Sequence, residues 1–304
     1  MSYPAIQILD VHKYYGKVHA LRGLNLEVHT GEVFGFLGPN GAGKTTTIRC
    51  LLDLIRPDNG SIRIFGLDPQ HDPQSVKAMI GYLPGDLHLD PDFTPREFLR
   101  YIRRLRKNPR PWQEILGLAE RLDLAMDRKI KTFSQGNKQK IGIVQAFLSD
   151  VPLIVLDEPT LGLDPLVQQE VLNFVREAQE QGKTVFFSSH ILSEVQKIAD
   201  RVGIIRKGQL VEIAQTEDLI NRSLTRVTVQ FSEPVSQKPF ESLPNVEILR
   251  ANDGDRSYML DVQGEMDGLV KALAQFSVRE LDISRLSLEE VFLEYYKDNG
   301  QEVE

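Results

Sequence analysis

Four short runs of the chain are apolar almost without interruption: "GEVFGFLG", "VPLIVLD", "TVFFSS" and "VGIIRKG". Runs of this length without polar alternation predict strands buried on both faces, as in a parallel sheet. Helical patterns separate them, so the first part of the chain is expected to be an α/β domain with a mainly parallel sheet covered by helices. Between Asp86 and Asp150 the pattern becomes helix after helix. "TPREFLRYIRRLRK" places Thr94 at a cap, Pro95 in the first turn and Glu97 three positions past the cap. "PRPWQEILGLAERLDL" is amphipathic in the same way. Residues 86–150 therefore read as an all-helical insert within the α/β domain.

Near Asn221 the pattern shifts again. "TRVTVQF" alternates like a half-exposed strand, and "VEILRANDGDRSYMLDVQ" reads as strand, Asn-Asp-Gly turn, strand. "MDGLVKALAQF" has helical spacing, "VRELDIS" is extended, and "SLEEVFLEYYKD" predicts a last helix capped by Ser287. The expected organisation is a large domain over 1–222 and a small α/β domain over 223–304. No internal repeat or low-complexity segment interrupts either.

Composition narrows the function. The 304 residues are 41% hydrophobic and 26% charged, as in a globular protein. A net charge of −7 gives no reason to expect a nucleic-acid partner. A single cysteine, Cys50, excludes an internal disulfide and fits a reducing cytosol. The start "MSYPAIQILDVHKYYGK" lacks the basic flank and apolar core of a signal peptide. "IGIVQAFL" and "VPLIVL" fall well short of the roughly 20 residues that cross a bilayer, so the chain is not expected to span a membrane. The basic run Arg100, Arg103, Arg104, Arg106, Lys107 and Arg110 reads first as a solvated helix face.

Candidate chemistry begins at "GPNGAGKTTT". Gly38, Gly43, Lys44 and Thr45 have the spacing of a phosphate loop, in the strand–loop–helix context that the motif requires. The expected nucleotide contacts are Gly38, Pro39, Asn40, Gly41, Ala42, Gly43, Lys44, Thr45 and Thr46. The glycines let successive backbone N–H groups curl around phosphate oxygens, and the helix N-terminus adds its dipole. Lys44 is expected to reach the β- and γ-phosphates, and Thr45 to offer its hydroxyl to Mg²⁺. "LIVLDEPT" ends a second apolar strand on Asp157 and Glu158, acids at the strand edge that faces the same crevice. Asp157 is the expected second metal residue, and Glu158 is placed to orient and deprotonate the attacking water.

The phosphate loop, "FSQGNKQ", "LIVLDEPT", "LGLD" and "SSH" occur in that order between Ala5 and Asp218. In this ordered set the chain resembles the ATPase subunits of the ATP-binding-cassette (ABC) transporter superfamily, a branch of the P-loop NTPases. The resemblance implies two cassettes paired head to tail, most simply two copies of this chain. Each nucleotide would lie between the phosphate loop of one and the signature helix of the other, with Ser134, Gln135 and Gly136 meeting the γ-phosphate held by the partner. It implies that His190 is the switch histidine acting with Glu158 and Lys44, that Asp164 crosses the dimer interface, and that Tyr15, rather than Tyr14, stacks on adenine. The chain departs from the family pattern in two places. The signature, usually close to Leu-Ser-Gly-Gly-Gln, is Phe133-Ser134-Gln135-Gly136-Asn137, which keeps the serine and the second glycine but replaces the first glycine with Gln135; and Gly85 stands where a metal-sensing glutamine is usual, followed by Asp86.

The implied function is ATP binding and hydrolysis that drive export through a separate membrane permease. ATP and Mg²⁺ are the implied cofactors, and the implied location is the cytoplasmic side of the cell membrane, held there peripherally. The ending "LSLEEVFLEYYKDNG" resembles the C-terminal extension of antibiotic, drug and lipid exporters. A soluble ABC ATPase acting on ribosomes or DNA is the alternative. A nucleotide kinase would leave the signature, "LGLD" and His190 without a role. The sequence names neither the transported substance nor the permease.

Overall fold

In a computed structural model the described residues are 3–218, 224–252 and 254–285. The helix expected after Ser287 lies outside them. The chain divides into two compact units, Met1–Thr216 and Glu217–Glu304.

The first unit is built on a six-stranded sheet of order β5-β6-β7-β3-β8-β9. Its strands are β3 (Val33–Leu37), β5 (Ile80–Leu83), β6 (Leu153–Asp157), β7 (Thr184–Ser189), β8 (Arg201–Arg206) and β9 (Gln209–Gln215). All neighbours run parallel except β8 and β9, so the mainly parallel sheet expected from the apolar runs is present. Every residue of β3, β6 and β7 is buried, which is why their sequences show no alternation. Phe186 stacks on Phe34 at 5.9 Å and meets Phe36 at 5.3 Å. A second sheet, of order β2-β1-β4, is antiparallel; it comprises β1 (Ile6–Tyr15), β2 (Val18–Val28) and β4 (Asn59–Ile64). Helix α1 (Lys44–Leu51) follows β3, and α2 (Pro73–Ala78) precedes β5.

The insert holds α3 (Pro95–Leu105), α4 (Trp112–Arg121) and α5 (Gln135–Ala146). The start of α3 is a complete capping box: the Glu97 N–H donates to Thr94 Oγ1 at 3.2 Å, and Glu97 Oε2 accepts from the Thr94 N–H at 2.8 Å. Arg121 ties α4 to α6 (Pro165–Glu180). Its guanidinium lies 4.3 Å from the Phe174 ring centroid, bonds to Glu177 at 2.8 Å and also donates to Glu170. Helix α7 (Leu192–Ile198) closes the strand–helix series.

The second unit holds β10 (Leu224–Phe231), β11 (Val246–Asn252), β12 (Ser257–Gln263) and β13 (Val278–Arg285), in the order β11-β12-β10-β13 and antiparallel throughout. Short helices, Lys238–Glu241 and Asp267–Leu273, sit between β10 and β11 and between β12 and β13. Two interleaved split β-α-β units of this kind give a ferredoxin-like topology. Val227, Val229, Phe240, Tyr258, Leu260, Val262 and Leu269 form its core. Arg226 and Asp261 form a two-pronged pair on adjacent strands, at 2.8 and 2.7 Å.

Phe186 joins two other rings at the centre of the parallel sheet. Phe186→Ala is expected to cost about 3–5 kcal/mol in a urea unfolding titration, the range for an aromatic truncation in a packed core.

Candidate functional site

In a parallel sheet the C-terminal ends of the strands share one edge. Leu37 pairs with Ser189, and Asp157 with Ser188. This register brings the loop after β3, the acids ending β6 and the residues after β7 together.

The phosphate loop spans Gly38 to Gly43. Gly41 and Gly43 have φ of 79° and 115°, backbone that L side chains rarely adopt. At Gly38 the reason is space, since a Cβ there would lie 2.3 Å from Ile205 O. Gly43 caps α1 with no side chain, so the first-turn N–H groups are left to an incoming anion. Lys44, buried at the first position of α1, curls its Nζ back over the loop, 2.6 Å from Gly38 O and 3.2 Å from Pro39 O. Thr45 and Thr46 follow, both half-buried.

Glu158 ties the site together. One carboxylate oxygen lies 3.1 Å from Lys44 Nζ, and the other 2.8 Å from His190 Nδ1. Its φ of 50° is in the left-handed region, which costs a non-glycine residue on the order of 1 kcal/mol and persists only where the surroundings enforce it. Ser188 supplies part of that enforcement. Its Oγ accepts from the Glu158 N–H at 3.0 Å and donates to Asp157 Oδ1 at 2.6 Å.

Asp157 is fully buried, at 0% exposure. Its Oδ2 is also buried and has no hydrogen-bond partner. An unpaired buried carboxylate oxygen is costly, and a hard cation beside it removes that cost. The nearby Tyr82 phenol is pushed up to about 12, first by burial and then by the Asp157 charge. Thr45 and Asp157 therefore offer the hydroxyl and carboxylate oxygens that suit a divalent cation carried with phosphates.

Gly85 lies against this oxygen: a Cβ there would sit 2.8 Å from Asp157 Oδ2. Its φ is not in the left-handed region, so the position needs glycine for room and not for conformation. The Asp86 side chain is 73% exposed and lies 3.9 Å from His88 Nδ1.

The remaining expected residues lie outside this cluster. Ser134 caps α5, accepting from the Asn137 N–H at 3.3 Å, and Gln135 and Gly136 open the helix. A Cβ on Gly136 would lie 2.5 Å from Gly162 O, so the signature rests on the segment that follows Glu158. Asp164 caps α6, accepting from the Val167 N–H at 3.1 Å. Tyr14 and Tyr15 are both exposed; Tyr14 is stacked on His19, with centroids 4.0 Å apart, and Lys13 Nζ lies over the Tyr15 ring at 5.9 Å. Sequence reasoning missed Ser188 and Gln139; the latter donates from Nε2 to Glu158 O at 3.1 Å. The first serine of "FFSS" and a glutamine on the buried face of α5 were the available signals.

Comparison with known proteins places this geometry. A family model described as ABC transporter matches residues 21–161. The linearmycin resistance ATP-binding protein LnrL of Bacillus subtilis is 31% identical over 301 residues, covering 95% of this chain and 96% of that protein. The daunorubicin/doxorubicin resistance ATP-binding protein DrrA of Streptomyces peucetius is 33% identical over 304 residues, covering 95% and 91%. The solved structure of an ATP-binding subunit of an ABC transporter superposes with a TM-score of 0.65 at 29% identity, covering 71% of this chain and 91% of that one. The chain belongs to the ATP-binding subunits of ABC transporters. It is an ATPase that powers transport, with the P-loop fold expected from its motifs.

A methyl group at position 85 would drive the Asp157 carboxylate off Ser188. Gly85→Ala is expected to destabilise the folded chain by about 1–3 kcal/mol, the usual range for overpacking, as read from the midpoint of denaturant unfolding.

Proposed function

We propose that this chain is one of two identical cassettes that close head to tail over two ATP molecules and drive export through a separate permease. The observation that carries the catalytic part is the Glu158 carboxylate, held between Lys44 and His190. A triphosphate entering the loop competes for the Lys44 ammonium and frees one Glu158 oxygen to accept a proton from water. His190 keeps the other oxygen in place. Because the carboxylate can only accept, Nδ1 is the donor in that contact, and the ring donates from Nε2 to a phosphate oxygen only when doubly protonated. Thr45 and Asp157 Oδ2 would hold Mg²⁺. When bound, the ion neutralises charge that develops on the β- and γ-phosphate oxygens.

The exposed anion-binding features then find their use in the partner. Ser134, Gln135 and Gly136 contact the γ-phosphate seated on the other copy, and Asp164 lies at the seam between them. Tyr15, with its ring face open, stacks on adenine, and residues Gly38 to Thr46 wrap the phosphates. Leu166, beside Asp164 and 85% exposed, supports a covered face there. In this reading the permease is a separate polypeptide at whose cytoplasmic face the cassettes dock, as supported by the ATP-binding proteins LnrL and DrrA, which the chain matches over 96% and 91% of their length. Among the described residues no helix is long and apolar enough to cross a membrane. Export is supported by the linearmycin and daunorubicin/doxorubicin resistance roles of LnrL and DrrA, each of which aligns with 95% of this chain. No observation favours action on ribosomes or DNA.

Glu158→Gln is expected to slow ATP hydrolysis by about 10²–10⁴-fold while ATP binding persists, because only the proton acceptor is lost. Unchanged turnover would take the role from Glu158. The composite arrangement has its own test. Chains carrying Ser134→Arg and chains carrying Lys44→Ala are each expected to be inactive alone. Mixed, they should regain part of the activity, because one of the two composite sites is then intact.

A further inference from the structure

The residue that carries the next step is Gln139. It lies on α5, one turn past Gly136, and is 4% exposed. Its carboxamide points out of the helix at the chain segment that carries Glu158. Nε2 donates to Glu158 O at 3.1 Å and lies 3.4 Å from Pro159 O. The same helix touches the same segment a second time, where Gly136 sits so close to Gly162 O that a Cβ would lie 2.5 Å from it. Glu158 is thereby gripped through both of its backbone groups. Ser188 Oγ takes the N–H from the β7 side, and Gln139 takes the C=O from the α5 side. A glutamate held at a φ of 50° needs that grip, because left alone its backbone would relax and swing the carboxylate away from Lys44 and His190.

Within one chain, then, the helix whose first residues form an anion site is bonded to the main chain of the water-activating glutamate. Resting on the function proposed above, these two ends belong to different nucleotides: Ser134 and Gly136 face the ATP on the partner copy, and Glu158 faces the ATP on its own. We propose that Gln139 is the positioning residue that couples the two ATP sites, carrying a shift of α5 on anion binding to the backbone of Glu158. Packed elements joined by one bonded side chain move together, and a displacement of about 1 Å at a reacting group is enough to change a rate by about 10²-fold. Each site is thus fastest when the signature of the same chain has closed on the other, and a lone intact site keeps a reduced activity.

Two substitutions test this. Gln139→Met keeps the length and removes the donor. It is expected to bind ATP as the unaltered chain does, to lose about 10²-fold in kcat, and to show a Hill coefficient for ATP hydrolysis falling to one from a value above one. Gln139→Glu keeps the shape but sets a carboxylate against two carbonyl oxygens. Burial raises the pKa of such a group, and its protonated form again offers a donor. The activity of Gln139→Glu relative to the unaltered chain is therefore expected to climb as the pH is lowered from about 8 to about 6, a recovery that simple damage to packing would not produce. This second readout stands even if Gln139→Met does not fold. An unaltered Hill coefficient in Gln139→Met, a Hill coefficient of one in the unaltered chain, or a flat pH ratio for Gln139→Glu overturns the coupling. Loss of ATP binding by the unaltered chain would instead remove the underlying function, so the two failures are distinguishable.

Discussion

The site depends on one backbone contact, the parallel register in which Asp157 pairs with Ser188 while Leu37 pairs with Ser189. That register fixes where three strands end. It sets the phosphate loop, two acids and a histidine along one edge of the sheet, although they come from segments far apart in the chain. Ser188 turns it into chemistry by accepting from the Glu158 N–H and donating to Asp157. A slip of one residue would turn Asp157 to the other face and break both bonds.

Electrostatic tension is built into this edge. Two carboxylates, a lysine ammonium and a histidine are crowded where β3, β6 and β7 end, and one carboxylate oxygen is buried without a partner. Lys44 is satisfied by the loop's own carbonyls and by Glu158. The arrangement fits a ligand that brings both negative charge and a cation, because a triphosphate would replace Glu158 at Lys44 and the cation would satisfy Asp157 Oδ2. In the proposed mechanism the same groups would hold the edge together and free the Glu158 carboxylate when ATP binds.

Much of this was legible in the sequence, for identifiable reasons. The phosphate loop could be read because its glycines meet local demands, the left-handed turns at Gly41 and Gly43. The parallel sheet could be read because burial on both faces removes polar alternation from β3, β6 and β7. The capping box at Thr94 is likewise a local pattern. What stayed hidden depends on contacts distant in sequence. Ser188 matters because of the strand beside it, and Gln139 because α5 packs against the segment after β6. Gly85 appeared only as a missing glutamine; the structure adds that Asp157 leaves no room for a side chain there. The small domain showed its strands and helices, but the order β11-β12-β10-β13 arises from pairings that no local pattern encodes.

The central claim is that one triphosphate is gripped by two chains. The most direct test is a crystal structure of the Glu158→Gln chain with ATP and Mg²⁺, in which slow hydrolysis preserves the ligand. The account predicts two copies related by a twofold axis, with the Ser134 hydroxyl and the Gly136 N–H of each within hydrogen-bond distance of the γ-phosphate seated on Lys44 of the other. A nucleotide enclosed by a single chain, with Ser134 facing solvent, would contradict it.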